Sequence, residues 1–128
     1  MIIGIGVDIM HLPRITALVA RRGHDKLARR ILSQKEYLEF KSLQALNQQK
    51  RDAYLSARWC IKEAVYKALY PKHRLEWKQV TYINRATHGQ KGKPELEILN
   101  SQLYGIQNAH VSLSHDGEYA IAQVVLEG

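Results

Sequence analysis

Ser56-Ala57-Arg58-Trp59-Cys60-Ile61-Lys62-Glu63-Ala64-Val65-Tyr66-Lys67-Ala68-Leu69 holds no helix breaker and is rich in residues of high helix propensity. Ala57, Ile61, Ala64 and Ala68, with Val65 and Leu69 beside them, recur at the three-to-four-residue spacing of one apolar stripe. One face of this helix is therefore buried. At about 100° per residue, Glu63 and Lys67 fall on one flank of the stripe and Arg58 and Lys62 on the other. Four charges at the edge of a core call for a ligand or for ion pairs, and two i,i+4 pairs on a solvated face are the simpler account. Asn47-Gln48-Gln49-Lys50-Arg51 reads as a polar break before the helix and Pro71 as its stop, so the sequence predicts a helix from about Asp52 to Tyr70.

Outward from this helix, 128 residues that are 45% hydrophobic and 24% charged fit one globular domain with one core. A net charge of +7 favours an anionic partner: nucleic acid, a phosphorylated cofactor, an acidic protein or an anionic surface. The single cysteine, Cys60, excludes an internal disulfide and, inside the central helix, reads as a small packed side chain in a reducing compartment. Met1-Ile2-Ile3-Gly4 is too briefly apolar for a signal peptide, and no run approaches the roughly 20 residues of a membrane span. The expectation is a cytoplasmic protein, with a mitochondrial address as the alternative.

Ile2 to Ile9 reads as a strand with Ile3, Ile5, Val7 and Ile9 on one face and Ile2, Gly4, Gly6 and Asp8 on the other. Two absent side chains let something approach the glycine face closely, and Asp8 stands there either as a ligand group or as a cap for the next helix. Pro13 and Gly23 bracket that helix, which carries Arg14, Arg21 and Arg22 on an exposed basic side. A second short helix is predicted over Lys26 to Leu32. Ser33-Gln34-Lys35-Glu36 then matches a capping box for a third helix running towards Leu46. In the second half, Val80 to Ile83 and Leu96 to Leu99 read as strands around the basic loop His88-Gly89-Gln90-Lys91-Gly92-Lys93-Pro94. A turn near Ser101 to Tyr104 leads to His110-Val111-Ser112-Leu113-Ser114-His115, the turn Asp116-Gly117, and a final strand from Tyr119 to Leu126. Helices crowd the first half and antiparallel strands the second, so the expected class is α+β.

His110 and His115 stand at an odd offset on one strand, which points them to opposite faces and argues against zinc. Gly4-Ile5-Gly6 lacks the third glycine of a dinucleotide fingerprint, and no Walker motif occurs. No hydroxyl or thiol is placed with a histidine base and an acidic orienter, so covalent catalysis has no support. Asp8 and Glu63 remain, two carboxylates on regular elements near basic residues. Mg²⁺ uses such hard oxygen ligands when it bridges a substrate's phosphates, which makes phosphoryl transfer the chemistry to expect.

Gly4-Ile5-Gly6-Val7-Asp8-Ile9 with Arg14-Ile15, Arg58 to Ala68 with its Lys-Glu-Ala-x-x-Lys-Ala core, and His110 to His115 resemble the three signature blocks of phosphopantetheinyl transferases. The short single-domain length resembles the holo-acyl-carrier-protein synthase group. The resemblance implies that coenzyme A is the donor, that a serine of an acyl carrier protein attacks its pyrophosphate, and that adenosine 3′,5′-bisphosphate leaves. It also implies Asp8 and Glu63 as magnesium ligands, Lys67 as a phosphate contact assisting the leaving group, and Glu63, directly or through water, as acceptor of the serine proton. Arg58, Lys93, Pro94 and His115 match positions of coenzyme A contacts, and Arg14, Arg21 and Arg22 match a docking face for the acidic carrier. A homotrimer with coenzyme A between neighbouring chains is implied as well, with neither nucleic acid nor membrane as a partner.

Leu69-Tyr70-Pro71-Lys72-His73-Arg74 departs from the glycine-containing turn of many members, and Lys72, His73 or Arg74 would take the place of that turn's backbone amides on the phosphates. The rival reading, a small basic nucleic-acid-binding module, fits the charge but offers no reader motif and leaves Asp8 and Glu63 without a role.

Overall fold

The computed structural model describes residues 1–43, 45–87 and 90–128, the side chains of 85–87 and 90–92 excepted. The chain runs β1 (Ile2–His11), α1 (Leu12–Arg22), α2 (His24–Ile31), α3 (Gln34–Ser42), α4 (Gln48–Leu69), β2 (Val80–Thr87), β3 (Gln90–Ile98), β4 (Asn108–Asp116) and β5 (Tyr119–Glu127). Short 3-10 turns at Trp77–Gln79 and Ser101–Tyr104 precede β2 and follow β3. The expected α+β class holds, with two antiparallel sheets: β1-β5-β4 and β2-β3. Among the described residues no helix is long and apolar enough to cross a membrane.

The central helix is the axis of the core. Ile61, Ala64, Val65, Ala68 and Leu69 are all buried, as the apolar stripe predicts, and each fully buried Ile or Val contributes roughly 1.5–3 kcal/mol. The helix starts four residues earlier than predicted. Asn47 caps it by accepting from the Lys50 N–H at 2.9 Å, so the polar run Gln48 to Arg51 is its exposed first turn. The third helix ends at Ser42, four residues short of the prediction. The Ser42 hydroxyl donates to the Glu39 carbonyl there, in competition with the helical ladder. The second helix begins at His24, directly after Gly23, whose φ of +84° lets the chain turn sharply out of α1.

Strand β1 lies over α4 with its glycine face inward. A β-carbon built on Gly4 would meet the Ala68 carbonyl oxygen, so the close approach is made by the helix backbone. Ile3, Ile5, Val7 and Ile9 consequently face outward and are exposed, as are Tyr119 and Ile121 on β5. Strands β2 and β3 extend to Thr87 and from Gln90, so Lys93 and Pro94 belong to strand rather than loop; His88 and Gly89 lie outside the described residues. The β4–β5 hairpin forms as expected, with Asp116 paired to Tyr119 across Gly117-Glu118.

The capping box at Ser33 is present, and its carboxylate does more than cap. Glu36 accepts from the Ser33 N–H at 3.0 Å, from the Tyr82 N–H at 3.0 Å, and pairs with the Lys62 ammonium at 2.7 Å. Both side chains of this pair are almost wholly buried, at 1% and 2% exposure. Lys62 also donates to the carbonyls of Trp77, at 2.9 Å, and Val80. The pair joins α3, α4 and β2 at one point, and burial holds the Lys62 ammonium below its ordinary pKa.

Candidate active site

Asp8 sits inside β1, opposite Ala122 of β5, on the strand face turned to α4. Lys67, in the last turn of α4, donates to the Asp8 carboxylate Oδ1 at 2.9 Å and to the Val7 carbonyl at 3.2 Å. The ammonium is half exposed whereas the carboxylate is 14% exposed, so the pair lies at the edge of the core. Among the described residues the second oxygen, Oδ2, accepts no hydrogen bond.

Glu63 stands one turn before Lys67. Burial first, and then the Asp8 carboxylate nearby, hold its carboxyl above its ordinary pKa, against the opposing influence of Lys67, Arg14 and the Trp59 indole N–H. The Asp8 carboxylate, bonded to Lys67, and the nearby Glu63 carboxylate form a set of hard oxygen donors. That donor set fits a Mg²⁺ ion with positions left for phosphate oxygens. Arg14, at the start of α1, is near enough for its charge to act on Glu63.

A cleft of about 440 Å³ opens beside Glu63, walled by Arg30, Tyr66, Leu75, Glu76, Trp77 and Lys78. Arg30 and Lys78 have no pattern in sequence that ties them to Glu63; only the packing of α2 and of the segment before β2 brings them there. Trp59 and Trp77, with ring centroids 5.0 Å apart, back this region.

The remaining expected contacts lie elsewhere on the chain. Arg58 projects from the other flank of α4, its guanidinium 3.6 Å from the Tyr54 ring centroid and 5.1 Å from that of Tyr82. Its Nε is buried and, among the described residues, has no hydrogen-bond partner. Arg58 lines a cleft of about 290 Å³ with Thr81, Tyr82 and Asn84, and Asn84 is the register partner of Pro94; Lys93 beside it is exposed. His115 is at the far end of β4, in a small cleft with Leu12, Ser56 and Tyr119. Arg21 and Arg22 are exposed in the last turn of α1. The structure thus brings Asp8, Glu63, Lys67 and Arg14 together, groups Arg58 with the β2–β3 hairpin, and leaves His115 apart from both.

Past α4, His73 stacks edge-on against Tyr104 with centroids 5.0 Å apart, and the Arg74 guanidinium lies 5.8 Å from the Tyr70 ring. Both are spoken for by neighbouring rings, whereas Lys72 is exposed.

Comparison with known proteins agrees with this arrangement. The family model described as the 4′-phosphopantetheinyl transferase superfamily matches residues 4–124. The holo-[acyl-carrier-protein] synthase of Sodalis glossinidius is 38% identical over 133 residues, covering 98% of each chain. Among solved structures, the holo-[acyl-carrier-protein] synthase of Neisseria meningitidis superposes with a TM-score of 0.83 at 32% identity over the whole of both chains. That of Helicobacter pylori, solved in complex with coenzyme A, gives 0.73 at 27% identity, covering 96% of this chain and 99% of that one. Sequence, fold and the joining of Asp8, Glu63 and Lys67 across one strand and one helix all say the same thing: the chain belongs to the 4′-phosphopantetheinyl transferase superfamily.

Proposed function

We propose that this chain is a holo-acyl-carrier-protein synthase, which moves the 4′-phosphopantetheine group of coenzyme A to a serine of an acyl carrier protein and releases adenosine 3′,5′-bisphosphate. The observation that carries this reading is the meeting of Asp8, Glu63 and Lys67 where β1 crosses α4. Asp8 and Glu63 would hold Mg²⁺, which when bound supplies neutralising charge to the pyrophosphate. Lys67, fixed by Asp8 and the Val7 carbonyl, stands ready to contact the phosphates and to balance negative charge developing on the leaving group. Glu63, directly or through a water on the metal, would accept the serine proton. Arg14 beside it, with Arg21 and Arg22 further along α1, presents the positive face on which an acidic carrier docks.

A homotrimer accounts for two further features. The outward face of β1 is a row of exposed apolar side chains, which a neighbouring chain would cover. Arg58 with Pro94, and His115, also lie at clefts that Asp8 does not line. Coenzyme A contacts at those positions call for a cleft completed by a second copy.

Incubating the chain with coenzyme A, Mg²⁺ and an apo acyl carrier protein tests the reading. Mass spectrometry should show the carrier gaining one phosphopantetheine, and no gain with an active carrier preparation would overturn it.

A further inference from the structure

The Asp52 carboxylate, 2% exposed in the second turn of α4, is shared by two other helices. His24, the first residue of α2, places Nε2 at 2.6 Å from Oδ1, and Thr16 of α1 donates its hydroxyl to Oδ2 at 3.3 Å. Among the described residues no other side-chain hydrogen bond joins α1 or α2 to α4. The start of α1 is fixed separately, by the Leu12 N–H donating to the Glu118 carbonyl at 2.8 Å. Its far end, where it turns through Gly23 into α2, has only Asp52 as a polar tie to the central helix.

Apolar packing along this seam is one-sided. Ile15 and Val19 are buried, but the neighbouring face of α1 opens onto a cleft of about 650 Å³ walled by Pro13, Ala17, Ala20 and, from α4, Gln48 and Gln49. Interdigitated side chains fix the angle between two helices, and where a cleft stands in their place other contacts must do so. Stability alone gives little reason for a buried carboxylate here. Exchanging a buried ion pair for apolar side chains is often neutral or stabilising, and the best-attested use of such pairs is to fix register.

We propose that Asp52 is a positioning residue: by tying Thr16 and His24 to α4 it sets where the arginine face of α1 stands relative to Glu63, and so governs productive docking of the carrier protein. Arg21 and Arg22 lie just before the turn that His24 closes and move with the clamped segment, while Arg14 stays by the Leu12 anchor. The proposal rests on the reading that this face meets the carrier.

The test compares Asp52→Ala and Asp52→Asn with the parent in three measurements: the Michaelis constant for the carrier, coenzyme A affinity, and hydrogen exchange of α1 amides. Asp52→Ala should raise the carrier constant about tenfold, the loss of roughly one hydrogen bond to a charged group. Coenzyme A affinity and kcat at saturating carrier should stay within about twofold, while α1 amides exchange faster and α4 amides do not. Asp52→Asn should restore most of the carrier constant, because the Thr16 hydroxyl can turn to the Leu12 carbonyl at 3.4 Å and accept from the new amide. Should Asp52→Ala fail to fold, Thr16→Val, at an exposed position, removes one arm of the clamp alone.

Equal losses in carrier, coenzyme A and turnover would mark Asp52 as merely structural and overturn the proposal. The paired Arg21→Glu, Arg22→Glu variant separates the two readings. If it raises the carrier constant and Asp52→Ala does not, the clamp is wrong and the docking face stands. If neither changes it, the docking face is wrong, and unaltered α1 exchange in Asp52→Ala would reject the clamp on its own.

Discussion

A β-carbon on Gly6 would lie 1.8 Å from the carbonyl oxygen of Ala64, so strand β1 and helix α4 touch backbone to backbone beneath the candidate site. Gly6→Ala must push the strand away and with it Asp8, two residues on. We expect a loss of about 3 kcal/mol or more in chemical denaturation, in the upper range for overpacking. Gly23→Ala, where an added β-carbon meets nothing, should keep the fold and lose only what its positive φ demands, about 1 kcal/mol.

At Glu63 the proposed role in the site opposes stability. Its folded carboxyl pKa is raised, so the folded state binds the proton more tightly than the unfolded one. The stability this brings is complete below the ordinary value of 4.5 and is lost as pH rises through the folded value. At neutral pH the ionised carboxylate is therefore a burden. Glu63→Gln should melt slightly higher than the parent at pH 7, by about 1–3 °C, and the gap should close near pH 4. The same variant should lose magnesium-enhanced coenzyme A binding in calorimetry; enhancement equal to the parent's would remove Glu63 from the metal site. By NMR in metal-free protein, the Glu63 carboxyl should titrate above the glutamate norm.

Lys62 and Glu36 form a buried pair whose members cannot be removed singly. Lys62→Ala strands a carboxylate in the core, at a cost of about 3–5 kcal/mol. Replacing both by apolar residues should not restore stability, because Glu36 also accepts the Ser33 and Tyr82 N–H groups, and orphaning each costs about 1–3 kcal/mol. Lys62→Met combined with Glu36→Gln keeps one acceptor and should recover more than Lys62→Met with Glu36→Leu. Urea titrations of the two double variants decide this.

Reversing Arg21 and Arg22 to Glu should raise the Michaelis constant for the carrier and flatten its dependence on salt, with coenzyme A affinity nearly unchanged. Steady-state kinetics across ionic strengths measure it. Unaltered carrier kinetics at low salt would move the docking face elsewhere on the chain.

The exposed apolar row on β1 makes the oligomeric state testable. Light scattering should give three times the chain mass of 14.7 kDa, and Ile5→Lys with Val7→Lys should dissociate the assembly and abolish activity. A fully active monomer would reject the trimer.

Much of the fold is legible in the sequence. The Ala57 to Leu69 stripe, the capping box at Ser33, the final hairpin and the placing of Asp8 on the glycine side all follow from local periodicity and turn chemistry, which act over a few residues. Long-range pairing is not legible there. Nothing near Lys62 in sequence announces Glu36, 26 residues earlier, and Arg30 and Lys78 reach Glu63 through packing alone. Alternation shows which residues of β1 share a face but not which face turns inward, and here the glycines, not the isoleucines, meet the helix. A polar run such as Gln48 to Arg51 reads alike as loop or as exposed helical turn until its cap is seen.

Helix α4 is an unbroken rod of 22 residues, about 33 Å long, and it carries Asp52, Lys62, Glu63 and Lys67 in fixed phase. Inserting or deleting a single residue between Asp52 and Glu63 would turn one end about 100° against the other, so that Asp52 could not face Thr16 and His24 while Glu63 faces Asp8. This interval can exchange side chains but cannot change length. The segment from Tyr70 to Arg74 lies beyond the last of these residues, where an added or missing residue alters no such phase.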